Sequence, residues 1–259
     1  MQPLIRVPEN YTEFLYWVKE RTESFWRTDP ADTTLDFKCE PWIHGAKWQG
    51  LTDTEIDQIE KKYAIRFSPA HREFLRILHT IDRKEVMEYK ETFEEDAPIQ
   101  KMQRPFFYNW LTDDQEIKER FEWPYETILS DILGVNDTWQ EAWGPRPKTP
   151  EEQTTLFSQW YHTAPPLIPI TSHRFSLSAP DLPDAPILSV YGSDIIVYGW
   201  NFRHYLLNEL VEHLNLCELV YDEEDQCHYA ETLQEIKAIN EWERAHADTN
   251  RIPVWKEML

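Results

Sequence analysis

Ser193 lies between Gly192 and Asp194 in the stretch PILSVYGSDIIVYGWN, residues 186–201, and is the first residue to weigh for chemistry. A nucleophile elbow needs the pattern G-x-S-x-G, with a strand before the serine and a helix after it. Here the two outer positions are Tyr191 and Ile195, and DIIVYG, a strand sequence, follows. Gly-Ser between two β-rich runs instead predicts a two-residue hairpin turn, with Gly supplying the positive φ. Pairing Tyr191 with Asp194 sets Val190 against Ile195 and Leu188 against Val197, an aliphatic face that must be buried. Nine histidines offer metal ligands, but no HExxH or HxxxH pair exists. Cys217, Cys227 and His228 could meet, but their spacing fits no usual zinc module. Paired carboxylates beside flat rings would suit glycoside hydrolysis, yet with 47 acids and 12 tryptophans such neighbours arise by accident, and core filling explains most of the rings. Six glycines build no phosphate loop. No catalytic, cofactor or metal residue is therefore assigned.

Charge is the stronger signal. The formal net charge is 26 − 47 = −21. An exterior that acidic repels phosphate backbones and anionic headgroups, which disfavours DNA, RNA and membranes as direct ligands, and it speeds encounter with a basic protein. Residues 209–243 hold eleven acids and one base, Lys237, or −10. Asp222, Glu223, Glu224 and Asp225 are consecutive and are the candidate partner-binding residues. Such a run is also what an ordinary solvated loop carries.

Several elements must position these groups. Asn10 with Glu13 opens a helix over 11–27. Thr52 with Glu55 forms a capping box, and Ile56, Ile59 and Tyr63 line the helix behind it. Ser68-Pro69 opens the next helix as N-cap and N1, with Phe74, Leu75, Leu78 and Ile81 on its buried face. A joint of about four residues predicts that these two helices pack together. A helix is expected from Thr112 to about 121, stopping before Pro124, then a strand over 126–132 and a short helix around Trp139 and Trp143. Further helices are expected over 150–165, 201–214 and 232–247. The prolines of PLIPI put a strand at Leu167–Ile170 on an edge or at a strand start. The charged stretch 82–102 supports no firm assignment. The fold class is α+β, one domain with a central antiparallel sheet flanked by helices. Its core spans about 48–214, with the N-terminal helix and an acidic, helical region 215–259 as additions. Three cysteines without CxxC, a start lacking an apolar signal core and no long apolar run predict a soluble cytoplasmic protein.

The stretch GLTDTEIDQIEKKYAIRFSPAHREFL resembles the opening of the SUKH superfamily, founded on the yeast Smi/Knr cell-wall-assembly regulators, through Gly50, Thr52, Glu60, Pro69, Phe74 and Leu75. FFYNW, WQEAWGPRP, PLIPITSHRF and ILSVYGSDIIVYGWNFRHYLLNEL are similar, in order, to segments of a bacterial subgroup. Thr80-Ile81-Asp82 departs from the Asn-Gly turn usual after the first helical pair. The resemblance implies the same α+β fold, no catalysis and no cofactor. It also implies an immunity protein that neutralises a toxin, often a nuclease with a basic surface. A regulatory scaffold without a toxin partner, or a carbohydrate-active enzyme, are the alternatives.

Overall fold

The structure, a computed structural model, describes residues 5–90, 92, 98–135, 138–178 and 181–259. Its centre is a four-stranded antiparallel meander: β5 (Leu167–Thr171), β6 (Arg174–Leu177), β7 (Ile187–Tyr191) and β8 (Asp194–Gly199), in that order across the sheet. Both faces are covered, and the period-two alternation of the strands divides the apolar residues between them. Ile168, Ile170 and Ile187 join one core. That core is built from α1 (Tyr11–Phe25), α2 (Asp53–Tyr63), α3 (Pro69–Leu78) and α6 (Phe202–Glu209). Leu167, Leu177, Leu188, Val190 and Ile195 join a second core, under α4 (Asp114–Ser130), α5 (Pro150–Tyr161) and the C-terminal Trp255 and Met258. The chain is thus a mixed α/β protein with helices on both sides of an antiparallel sheet, as expected.

The local rules explain the helical pair. Thr52 accepts the Glu55 N–H while Glu55 reaches back to the Thr52 N–H at 2.7 Å, and Ser68 accepts the His71 N–H at 3.2 Å ahead of Pro69. Glu60, only 5 % exposed, fastens the joint between α2 and α3. It accepts the Phe67 N–H at 2.8 Å and Arg72 Nη1 at 2.9 Å. Gly50 lets this hairpin close, because a Cβ there would stand 1.9 Å from the Arg76 carbonyl oxygen. Thr80 and Ile81 form β2, paired with β1 (Trp48–Gln49), so an intervening strand stands where the resemblance expects a turn.

The Gly192-Ser193 turn joins β7 to β8 in the expected register, Tyr191↔Asp194, Val190↔Ile195 and Leu188↔Val197. Gly192 has φ +60°, and Leu188, Val190 and Ile195 are buried. β5 is an edge strand, as its prolines require.

Three expectations are corrected, and the charged stretch 82–102, for which the sequence supports no firm assignment, supplies two strands. The helix of residue 114 onward does not stop before Pro124. It carries Pro124 inside and runs to Ser130, so residues 126–132 are helix, not strand. The reason is an unbroken stripe, Ile117, Phe121, Pro124 and Ile128, at steps of three and four along one face, whose burial outweighs the missing N–H. That helix is entered from Asp113, not capped by Thr112. The charged stretch forms a hairpin, β3 (Lys84–Lys90) with β4 (Ile99–Pro105), tied across the strands by Glu85–Arg104 at 2.6 Å and Glu88–Lys101 at 2.9 Å. The acidic C-terminal region opens not with helix but with a second hairpin, β9 (Cys217–Asp222) and β10 (Cys227–Thr232), ahead of α7 (Gln234–Ala245). Elsewhere the helices stop short of their expected ends: α1 at Phe25, α5 at Tyr161 and α6 at Glu209. Around Trp139 and Trp143 only one 3₁₀ turn, Glu141–Trp143, forms.

Candidate functional site

Asp222, Glu223, Glu224 and Asp225 form the tip of the β9–β10 hairpin. The tip divides by role. Asp222 Oδ1 accepts the N–H groups of Glu224 at 2.8 Å and Asp225 at 3.2 Å, so this carboxylate shapes the turn. The other three are exposed, and among the described residues no cation pairs with them. The hairpin Cys217–Thr232 carries six acids, Glu218, Asp222, Glu223, Glu224, Asp225 and Glu231, and no Lys or Arg. Among the described residues only Glu231 has an ion-pair partner, Lys237. The remaining acids of the 209–243 run are partly committed to structure. Glu209 pairs with Arg174 at 3.3 Å, and Glu243 accepts from Asn201 at 2.8 Å.

The hairpin is two strands wide, and most of its side chains face solvent. Leu219, Tyr221 and Tyr229 are exposed by 42 %, 52 % and 43 %. Tyr221 and Leu219 share one face, since Tyr221 pairs with His228 and Leu219 with Ala230, while Tyr229 lies on the other, opposite Val220. Apolar anchors inside a charged rim are the composition of a protein interface. The same register separates Cys217, opposite Thr232 at the base, from Cys227 and His228 near the tip. Among the described residues no group of three or more His, Cys, Asp and Glu is placed to hold a metal.

A cleft of about 490 Å³ opens elsewhere, and sequence reasoning missed it. Six segments converge on it: residues 40–42, Glu85 of β3, the end of β4 with Phe106 and Tyr108, the start of α4, the β5–β6 turn, and Glu209 at the end of α6 with His213 beyond it. Two of its three guanidinium groups hold carboxylates. Arg104 holds Glu85. Arg174 donates to Glu209 and to Ser189 Oγ at 2.6 Å and lies 3.7 Å over the Tyr198 ring. Arg120 lies 4.5 Å over the Trp123 ring, and its buried Nε has no hydrogen-bond partner among the described residues. Burial raises the pKa of Glu209 against the pull of Arg174. Burial first, then Arg174 and Arg120, lowers that of His173. His213, whose ring accepts Trp26 Nε1–H at 3.1 Å, is pushed down to about 4 by burial and stays neutral.

Among the described residues Ser193 makes no nucleophilic constellation. Its N–H donates to Asp131 Oδ2 at 2.6 Å and its hydroxyl accepts from Thr138 at 2.9 Å, so neither contact sets a base on Oγ. The tryptophans weighed as sugar platforms are divided. Trp26, Trp48 and Trp110 are buried in the first core, whereas Trp17, Trp42, Trp123, Trp139, Trp143, Trp160 and Trp200 are partly buried against one core or the other.

No family model matches the chain, and neither a curated protein nor a solved structure matches it. The residues behind the family resemblance nevertheless have plain structural work: Gly50 the close approach, Thr52 the cap, Glu60 the joint, Pro69 the helix start, and Phe74 and Leu75 the core. No helix among the described residues is long and apolar enough to cross a membrane.

Proposed function

We propose that the chain is a non-enzymatic protein-binding factor of immunity type, which blocks a basic, nuclease-like toxin domain by covering its phosphate-binding surface with an acidic one. The observation that carries this reading is the β9–β10 hairpin: six acids without a base, three of them exposed at the tip with no cation among the described residues, flanked by exposed Leu219, Tyr221 and Tyr229. The charges steer encounter and the rings supply apolar area on contact. The net charge of −21 adds a long-range field of the same sign.

The test replaces Glu223→Gln, Glu224→Gln and Asp225→Asn together, keeping Asp222 because it holds the turn. The basic partner retained by the native chain is purified, and its association rate is followed from low to high salt. The native rate falls steeply as salt screens the field, and the triple variant associates several-fold more slowly at low salt with a flatter salt slope. Equal rates and equal slopes for the two chains, or a native chain that retains no basic protein, refute the proposal.

A further inference from the structure

We infer that the cleft between the β3–β4 hairpin and the β5–β6 turn receives one basic side chain, an arginine or a lysine, from a protein partner. The inference rests on the protein-binding reading for the source of that side chain, while the cleft's preference for a cation stands on its own geometry. At about 490 Å³ the cleft has the size of ligand pockets in general and accommodates a long side chain with its flanking backbone.

Its carboxylates are less committed than its guanidiniums. Glu85 and Glu209 are paired with Arg104 and Arg174. Glu116 has only a distant share of Lys84, at 3.6 Å, because that ammonium sits 2.7 Å from Asp113. Glu119 is met by Gln115 and Glu40 by the Trp42 indole N–H, both neutral donors. The lining therefore sums to five Glu against three Arg, or −2, with the surplus on Glu40 and Glu119. An incoming anion finds Arg104 and Arg174 already paired and only Arg120, stacked on Trp123, without a carboxylate among the described residues. An incoming cation meets idle carboxylates.

The walls fit the same occupant. Trp42 and Phe106 are half-buried with ring centroids 6.1 Å apart, and they offer aromatic faces to a guanidinium or ammonium. Met102, exposed on β4, lines the rim and gives an adaptable surface for the methylene stem. Arginine fits better than lysine, since its planar head both stacks on rings and bridges two carboxylates.

The experiment is a titration of the full chain with N-acetyl-arginine methylamide, followed by the indole N–H resonance of Trp42, which Trp42→Phe identifies. The lysine and aspartate derivatives are run in parallel. The arginine compound shifts the resonance saturably, the lysine compound does so more weakly, and the aspartate compound does not. Glu40→Gln with Glu119→Gln, which keeps the acceptor for the indole, weakens arginine binding by roughly fivefold or more. A shift by the aspartate compound, an unsaturable arginine response, or an unchanged response in a folded double variant overturns the inference. The hairpin-tip variant touches none of these residues. A normal salt slope there with no arginine response here removes the cleft and leaves the protein-binding reading standing, and the reverse outcome removes that reading alone.

Discussion

Replacing Glu60 tests whether the α2–α3 joint is held by one buried carboxylate. Three donors converge on it: the Phe67 N–H at 2.8 Å, Arg72 Nη1 at 2.9 Å and Arg66 Nη1 at 3.2 Å. Their weights differ. The buried backbone bond to a charged acceptor contributes about 1.5–3 kcal/mol, and losing it leaves the Phe67 N–H unpaired. Arg72, whose side chain is 22 % exposed, adds about 1 kcal/mol. Arg66, 75 % exposed, adds almost nothing after screening. Glu60→Ala is expected to cost about 3–4 kcal/mol, which moves the urea midpoint down by roughly 1 M. Glu60→Gln keeps an acceptor for Phe67 but turns no charge toward Arg72, so it costs about 1–2 kcal/mol. The assay is urea unfolding by tryptophan fluorescence, repeated at high salt, which erodes the arginine share and spares the Phe67 share. An alanine variant within about 0.5 kcal/mol of the native chain, or alanine and glutamine variants of equal stability, would refute the reasoning.

The Gly192-Ser193 turn is tested by two neighbouring substitutions: Gly192→Ala places a Cβ 2.2 Å from Asp131 Oδ2 at a left-handed φ and costs about 2–4 kcal/mol in thermal unfolding, whereas Ser193→Ala loses one hydroxyl contact and costs under about 1 kcal/mol. Loss of partner binding in Ser193→Ala at unchanged stability would count against the turn reading. The pH dependence centres on His71, whose ring packs among Phe67, Phe74 and Phe202 with no hydrogen-bond partner for either nitrogen among the described residues, and burial pushes its pKa from 6.5 down to about 3. The folded pKa lies below the unfolded one, so stability is lost as pH falls from 6.5 toward 3, and His71→Phe gains about 2 kcal/mol on the native chain between pH 7 and pH 5. Parallel stability curves for the two chains across that range would show that His71 does not titrate in this way. His79 and His204, each pushed down to about 4 by burial, work in the same direction.

The features legible in the residues alone are local. The Thr52–Glu55 box, the Ser68-Pro69 start and the Val190↔Ile195 register each depend on residues within a few positions of one another, and each stands where the local rules put it. The acidic tip was equally legible, since charge is additive along a chain and needs no fold to count. The rest depends on long-range contacts. Pro124 sits inside a helix because Ile117 and Ile128 are buried on the same side, a long-range term that no breaker rule contains. The β3–β4 and β9–β10 hairpins were hidden because neither has a buried face, and alternation is visible only where one face is dry. The cleft draws on residues as far apart as Glu40 and His213, and whether its carboxylates are idle depends on which cations folding brings to them. Patterns of sequence report short-range geometry and summed charge, whereas pairing, burial and enclosure are properties of residues that meet only after the chain has closed on itself.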